Sequence, residues 1–307
     1  MIERVYVCGL GALGGMFAQS LGRVPQIDLR VVAAGERAER YRRQGVTVNG
    51  SPLAVSVLSP DQPAAPADLL LIGVKWHQLP EAIGAVRPFV GPETVILSLL
   101  NGIASEGVIA QAVGADKVLY SFVVETDAVR QGDDIRYGRL GTIVFGEAQN
   151  PVPSARVAAV AGLLGRAGIP HRVPADMLRE LWWKFMLNVG VNQVSAVLRV
   201  GYGAFQTLPE ARELVRMACR EVVAIADRSG IALAEDDIDS IFPILGRLSP
   251  ERKTSMLQDM EAGRKTEVEI FGGTVVAEGR RLGVATPVNA VLLNMIRTLE
   301  CCRDPAA

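Results

Sequence analysis

Residues 4–15 read RVYVCGLGALGG and place Gly9, Gly11 and Gly14 in the spacing G-x-G-x-x-G. A valine-rich run suited to a buried strand precedes the glycines, and the following ALGGMFAQSLG resembles a helix. In such a strand–turn–helix the first glycine permits the tight turn, the second lets a pyrophosphate approach the backbone, and the third lets helix pack on strand. The stretch predicts a dinucleotide-binding Rossmann-type fold. The alternative is a glycine-rich turn that binds no dinucleotide.

The rest of the first half alternates short β-branched runs with helix-like or turn-rich segments, which is the pattern of a parallel α/β sheet. We predict strands at 3–8, 27–33, 69–74, 94–99 and 117–124. Residues 133–147, DDIRYGRLGTIVFGE, instead predict an antiparallel pair with Gly138 and Gly141 near its turn. This pair is expected to extend the edge of the sheet.

From about residue 176 onward the chain has helical periodicity, punctuated by Gly and Pro. The predicted helices cover 176–198, 207–229, 235–246, 265–282 and 288–301. The fold class is therefore α/β, with an N-terminal Rossmann-type parallel sheet domain and a C-terminal all-α helical domain. We place the NADP-binding domain at 1–170 and a helical substrate and dimerisation domain at 171–307.

Charge and composition limit the kinds of molecule that the protein is expected to bind. Lysine plus arginine number 32 against 33 for aspartate plus glutamate, and this balance argues against nucleic acid or an anionic membrane. The chain shows neither a secretory signal pattern nor an apolar run of ~20 residues, which predicts a cytoplasmic protein with a small-molecule substrate. The four cysteines lack metal-binding spacing and are predicted to be free thiols. His77 and His171 are the only histidines, so we predict no metal site.

Cofactor preference is predicted from the end of the second strand, where a carboxylate would hydrogen-bond the ribose of NAD. Ala33, Ala34 and Gly35 occupy these positions instead. Arg37, more than Arg40, could meet the 2′-phosphate of NADP. The sequence favours NADP, and NAD remains the alternative.

A second unusual stretch is ELWWKFMLNVGVNQ, residues 180–193. On a helix, Lys184, Asn188 and Asn192 form one polar stripe on an otherwise apolar surface. An isolated buried ammonium is unfavourable, so this lysine either reaches water or lies in a polar cleft. The stripe alone does not decide between a solvated face and a site.

Several stretches taken together resemble the ketopantoate reductase family (2-dehydropantoate 2-reductases) over nearly the full length. The stretches are GLGALGG, LLIGVKWHQL, SLLNGI, ELWWKFMLNVGVNQVSAV, TSMLQDMEAGRKTEVEIFGGTVV and GVATPVNAVL. The resemblance implies NADPH-dependent reduction of 2-dehydropantoate to pantoate by hydride transfer, in pantothenate (coenzyme A precursor) biosynthesis. It also implies a lysine as general acid.

The resemblance, with the glycine motif and Arg37, assigns roles to individual residues. The catalytic residues are predicted to be Lys184 and Glu267, and the substrate-binding residues Asn101, Asn188, Asn192 and Ser255. The cofactor-binding residues are predicted to be Gly9, Leu10, Gly11, Ala12, Leu13, Gly14, Arg37, Lys75, Asn101 and Glu267. Simpler roles stay open: a strand-end lysine at 75, an Asn-Gly turn at 101, and helix-start residues at 255 and 267.

The chain also departs from the family pattern. Ala34 stands where an arginine is common, Gln193 where proline is frequent, and Tyr202 where a polar substrate contact is frequent. SFVVETDAV places Glu125 and Asp127 where their charge would repel a substrate carboxylate. Alternatives are therefore another 2-oxo acid, a 2-hydroxy acid, or a non-catalytic nucleotide-binding homologue. The apolar faces VNAVLLNMI and IFGGTVVA predict a homodimer through the helical half.

Overall fold

A computed structural model describes residues 1–302 of the chain. Short apolar runs rich in Val, Leu and Ile form its strands, as expected for residues that pack on a pleated surface. In chain order they are β1 (Arg4–Cys8), β2 (Asp28–Val32), β3 (Thr47–Val48), β4 (Ser51–Pro52), β5 (Ser56–Leu58), β6 (Leu69–Ile72), β7 (Val95–Ser98), β8 (Val118–Val124), β9 (Val129–Gln131), β10 (Asp134–Arg136), β11 (Thr142–Gly146) and β12 (His171–Arg172).

Eight of these strands form one sheet in the order β12-β11-β8-β7-β6-β1-β2-β5. All neighbouring pairs are parallel except β11 with β8. The five predicted strands and the predicted parallel sheet are confirmed. The central strands β6 and β7 are buried throughout because apolar clusters cover both faces of the sheet.

The prediction of an antiparallel pair within 133–147 is wrong. β10 pairs instead with β9 and β3 in a second sheet of order β4-β3-β10-β9, whereas β11 pairs with β8 in the main sheet. The hairpin in this region instead joins β9 to β10 and turns at Gly132, whose φ of 60° suits a glycine. Strands of both sheets contain apolar residues, so only the long-range pairing shows which sheet each strand joins.

The helices alternate with the strands in the first half and fill the second half. They are α1 (Ala12–Leu21), α2 (Gly35–Gln44), α3 (Leu79–Val86), α4 (Ser105–Val113), α5 (Ala155–Arg166), α6 (Met177–Leu198), α7 (Tyr202–Thr207), α8 (Pro209–Arg228), α9 (Glu235–Asp239), α10 (Ile241–Leu245), α11 (Ser255–Glu261), α12 (Gly272–Leu282) and α13 (Pro287–Cys301). The predicted fold class is confirmed. No helix within residues 1–302 is long and apolar enough to cross a membrane.

Two predicted helices are shorter than expected. The segment 235–246 divides at Ser240, since Pro243 has no N–H to continue the helical hydrogen bonds across the junction. The segment 265–282 becomes helical only at Gly272, after a 3₁₀ turn over Val268–Ile270. Phe271 between them leaves the helical region, with φ −103° and ψ −92°. Helices α7 and α11 were not predicted.

By its contacts the described part of the chain forms two units, residues 1–101 with 105–178, and residues 102–104 with 179 onward. The first unit contains both sheets, and the second is helical. The division at Leu178 lies eight residues after the boundary predicted from the sequence, because β12 pairs with β11 and keeps that stretch in the first unit.

Candidate functional site

The first unit brings the predicted cofactor segments to one edge of the main sheet. Cys8 is level with Val32 on one side and with Ile72 on the other, and Ile72 is level with Ser98. The carboxyl ends of four parallel strands are therefore aligned. The segments that follow them contain the glycine loop, Arg37, Lys75 and Asn101. In open α/β sheets, ligands bind at this edge.

The glycine loop has the geometry that its three glycines predict. Gly9 has φ 96°, and a Cβ there would lie 2.7 Å from the carbonyl oxygen of Gly73. A Cβ on Gly14 would lie only 1.9 Å from the carbonyl oxygen of Gly9. Gly11 has an ordinary φ of −67°, and its Cβ would meet only the Gly73 carbonyl oxygen, at 3.4 Å. Packing thus requires Gly9 and Gly14, whereas Gly11 leaves open backbone.

The start of helix α1 suits an anion. Gly11 is the N-cap and provides no side-chain hydrogen bond, and the first turn, Ala12 and Leu13 included, carries no acidic residue. The first N–H groups of a helix lack intrahelical partners, and the helix dipole adds positive potential there. These features fit the pyrophosphate of a dinucleotide.

At the end of β2, Ala33 is buried and Ala34 is the N-cap of α2. The half-buried Arg37 lies close enough to Cys8 for its charge to oppose the effect of burial, which raises the pKa of the Cys8 thiol to about 12. Arg40 lies 3.9 Å from the Asp133 carboxylate and over the ring of Tyr41. Arg37 is therefore near the end of β1, whereas Arg40 is already paired with a carboxylate, and the phosphate-binding role of Arg37 stays a prediction.

The two remaining predicted residues of this edge lie on turns. Lys75 is exposed and precedes a 3₁₀ turn, and its N–H donates to the Gln78 side chain at 3.3 Å. Asn101 is half-buried and is followed by Gly102, whose φ of 93° suits a glycine at this bend of the chain. Their binding roles stay predictions.

A buried carboxyl group that sequence analysis missed, that of Glu106, lies in the first turn of α4. The Ser105 hydroxyl donates to the Glu106 carboxylate at 2.9 Å and contacts the Ser98 hydroxyl at 2.8 Å. Burial raises the pKa of Glu106 to about 7. In the sequence this residue resembles an ordinary glutamate in a helical first turn, so no local signal distinguishes it.

In the second unit, helix α6 places the polar stripe on one face. The Lys184 ammonium donates to the Asn188 side-chain oxygen at 3.1 Å, and burial lowers the lysine pKa to about 8. Asn188 and Asn192 are 5% and 7% exposed. Neither the lowered pKa nor the buried amides fit a solvated face. The stripe therefore consists of two buried amides and a half-buried lysine that is hydrogen-bonded to the first of them.

The start of α11 lies beside the far end of the same stripe. Thr254, the N-cap of α11, donates its hydroxyl proton to Ser195 of α6 at 3.1 Å. Ser195 is three residues beyond Asn192, and thus on the same side of α6. Ser255 follows as the first residue of α11 and is exposed. Thr254, not Ser255, caps the helix, which leaves the Ser255 hydroxyl for another partner.

Glu267 is half-buried and immediately precedes the 3₁₀ turn Val268–Ile270. Its carbonyl oxygen accepts from the Ile270 N–H at 3.1 Å. Glu267 therefore belongs to a turn rather than to the first turn of a long helix, contrary to the simpler interpretation. Its catalytic and cofactor roles stay predictions.

Two departures from the family pattern have structural explanations. The Asp127 carboxylate accepts from the N–H groups of Gly138 and Arg139 at 2.9 and 2.8 Å, so its charge stabilises a turn of the first unit. Gln193 donates to the Val189 carbonyl and to the Asn289 side chain, at 2.8 and 2.9 Å. Gln193 thus joins α6 to α13 in the core rather than extending the polar stripe.

The first unit has the nucleotide-binding edge of a Rossmann-type fold, and the second carries a lysine of lowered pKa hydrogen-bonded to an asparagine; both features suit a nucleotide-dependent oxidoreductase. Residues 5–150 match the family model described as Ketopantoate reductase PanE/ApbA, and residues 176–300 match the model of the C-terminal part of the same family. The chain belongs to the ketopantoate reductase family, as its sequence motifs predicted.

Similar proteins agree with this membership over nearly their full lengths. The 2-dehydropantoate 2-reductase of Halobacterium salinarum is 29% identical, over 97% of this chain and 99% of the relative. The structure of 2-dehydropantoate 2-reductase from Methylococcus capsulatus is 25% identical, with a TM-score of 0.84 over 99% of this chain and 98% of that one. A ternary structure of D-mandelate dehydrogenase with NADH and anilino(oxo)acetate, 19% identical, shares the fold with a TM-score of 0.85 over 98% and 99%.

Proposed function

We propose that the protein catalyses the NADPH-dependent reduction of 2-dehydropantoate to pantoate, in the cytoplasm, as a step of pantothenate biosynthesis. The observation that carries the proposal is the hydrogen-bonded pair of Lys184 and Asn188 on an apolar helix of a ketopantoate reductase family member. The name of the Halobacterium salinarum relative supports the choice of substrate.

The chemistry of Lys184 fits this reaction. NADPH, when bound, supplies a hydride to the carbonyl carbon of the substrate. As negative charge develops on the ketone oxygen, the Lys184 ammonium stabilises it and donates the proton. A pKa of about 8 keeps the ammonium mostly protonated at neutral pH and makes its proton easier to transfer than that of an ordinary lysine.

The remaining polar groups are proposed to orient the substrate. Asn188 holds the ammonium through its side-chain oxygen, and its buried position limits the number of available lysine conformers. Asn192, Ser255 and Asn101 provide neutral donors for the carboxylate and hydroxyl groups of a 2-oxo acid. Glu267 is proposed to orient Lys184 or a hydroxyl group of substrate or ribose.

A 2-oxo acid other than 2-dehydropantoate is the second candidate, because D-mandelate dehydrogenase has the same fold. The experiment is a steady-state assay of the purified protein with NADPH or NADH and a panel of 2-oxo acids. The proposal expects the highest kcat/KM with 2-dehydropantoate and NADPH. A higher kcat/KM with another 2-oxo acid would identify that acid as the substrate instead. The absence of turnover from a folded, nucleotide-binding protein would instead support a non-catalytic homologue.

Arg37 provides a test of cofactor choice. Arg37→Ala should weaken NADPH binding by roughly ten- to a hundredfold, the usual effect of losing a hydrogen bond to a charged group. NADH lacks the 2′-phosphate and should bind within about twofold of the wild-type affinity. Equilibrium titration with both nucleotides measures these constants. Equal losses for both nucleotides would remove Arg37 from phosphate recognition.

We also propose a homodimer, through α13. The predicted apolar stretch IFGGTVVA contributes Ile270, Phe271 and Val275 to the interior of the helical unit. On α13, by contrast, Val291 and Met295 are 57% and 44% exposed and lie one turn apart. Val291→Glu should therefore abolish the dimer without unfolding the chain. Sedimentation velocity that shows a wild-type monomer at micromolar concentration would reject this assembly.

A further inference from the structure

The second sheet contacts the glycine loop through a side chain that the proposed reaction does not use. Arg130 lies on β9, and its guanidinium donates a hydrogen bond to the carbonyl oxygen of Leu10. Leu10 lies between Gly9 and Gly11, in the middle of the turn that precedes α1. The contact joins residues 120 positions apart in the chain, and both belong to the first unit.

The β9–β10 hairpin holds this guanidinium in place. Its Nε donates to the Gly132 carbonyl at 2.7 Å, and a terminal nitrogen donates to the Asp133 carboxylate at 2.9 Å. The Arg130 side chain is only 18% exposed. With partners on three of its nitrogens, the guanidinium has little freedom to turn away from Leu10.

The sheet is also packed tightly against the helix that follows the loop. A Cβ on Gly15 of α1 would lie 2.2 Å from the Cδ1 atom of Ile135 on β10. Ile135 is fully buried and is paired with Arg130 across the hairpin. The side chain that contacts the loop and the side chain that contacts the helix therefore come from one cross-strand pair of the hairpin.

The contact with Leu10 has a consequence for Gly11. The Leu10–Gly11 peptide is planar and trans, so the Leu10 carbonyl and the Gly11 N–H point in opposite directions. Gly11 on one side of this peptide would otherwise allow it to rotate more easily. By binding the carbonyl on one side, Arg130 fixes the direction of the N–H on the other. Backbone N–H groups of this loop are the donors that a pyrophosphate requires.

We infer that Arg130 is a positioning residue of the dinucleotide site, which holds the Leu10–Gly11 peptide in the orientation that binds pyrophosphate. The inference rests on the proposed function only in requiring that a dinucleotide binds at this loop. Because NADPH and NADH share the pyrophosphate, Arg130 acts equally on both. Arg37, in contrast, acts on NADPH alone.

The test is equilibrium titration of Arg130→Ala and Arg130→Lys with NADPH and with NADH. Arg136→Ala is the matched control, because Arg136 lies on β10 of the same sheet and pairs with the nearby Asp134 at the surface. Arg130→Ala should raise both dissociation constants by about tenfold, the effect of one charge-assisted hydrogen bond. Arg130→Lys should recover part of this loss, kcat at saturating NADPH should stay within about twofold, and Arg136→Ala should bind as wild type.

Several results would overturn the inference. One is unchanged nucleotide binding by folded Arg130→Ala, and another is a loss confined to NADPH. If the wild-type protein binds neither nucleotide, the proposed function fails as well. If the wild type binds both nucleotides and Arg130→Ala binds them equally well, only the role of Arg130 is rejected. If Arg130→Ala does not fold, the titration is made with Asp133→Asn, which weakens one of the hydrogen bonds that hold the Arg130 guanidinium. An equal loss of affinity for both nucleotides is again the expected result.

Discussion

Lys184→Ala is expected to lower kcat for 2-oxo acid reduction by about 10²–10⁴-fold, the usual contribution of a positioned acid. The variant loses both the proton donor and the positive charge beside the developing alkoxide. NADPH affinity should stay nearly unchanged, since the glycine loop and Arg37 belong to the other unit of the chain. Steady-state kinetics and nucleotide titration on one preparation separate the two effects.

A matched control is available for this substitution. Lys253 is exposed, belongs to the same unit as Lys184, and pairs with Glu261 at 2.7 Å. Lys253→Ala should retain the wild-type kcat, and its stability should change by no more than about 0.5 kcal/mol, as is usual for a surface position. Lys184→Ala is also expected to fold, because burial disfavours its charged form in the native protein. A folded Lys184→Ala protein with wild-type kcat would reject the proposed acid.

Gly14→Ala is expected to have the largest effect on stability among the glycine-loop variants. Its new methyl group would lie 1.9 Å from the Gly9 carbonyl oxygen, and that oxygen is backbone that cannot rotate away. Helix α1 would have to move off β1, at a cost of about 1–3 kcal/mol or more for overpacking. Urea denaturation should show this loss as a lower midpoint with an unchanged m-value.

Gly11→Ala separates packing from binding in the same loop. Its Cβ would lie 3.4 Å from the Gly73 carbonyl oxygen, at the border of ordinary contact, and its φ of −67° suits alanine. The free energy of unfolding should therefore fall by no more than about 1 kcal/mol, because alanine is a poorer N-cap than glycine but meets no close contact here. Nucleotide affinity should still fall, because the methyl group occupies the surface where a pyrophosphate approaches. If Gly14→Ala were as stable as Gly11→Ala, the assigned roles of the two glycines would be wrong.

Much of the fold was predictable because local patterns and tertiary structure agree for the long elements. The valine-rich run before Gly9 and the apolar run 69–72 form central strands, as their composition predicts. The stretch 133–147 was wrongly predicted because its two strands join different sheets. At Phe271 the backbone leaves the helical region within a segment whose apolar spacing is helical throughout. Sequence periodicity specifies neither the sheet that each strand joins nor the break in the helix at Phe271.

The same distinction applies to the candidate site. The spacing of Lys184, Asn188 and Asn192 on one helix made the stripe visible in the sequence, and the structure shows its first two members in contact. Arg130 could not be found in this way, because its partner Leu10 lies in a distant part of the chain. Glu106 was missed because only tertiary burial distinguishes it from an ordinary first-turn glutamate.

The pH dependence of kcat/KM for 2-dehydropantoate, measured with saturating NADPH, tests the role of Lys184 most directly. This parameter reports the ionisation of the enzyme form that takes up the substrate, and reduction requires the protonated lysine. Because the pKa of Lys184 is lowered to about 8, kcat/KM should be constant below that pH and should fall about tenfold per unit above it. Lys184→Ala should show a low value without this decline. The same inflection in wild type and variant, or a wild-type profile flat through pH 9, would contradict the assignment of Lys184 as the proton donor.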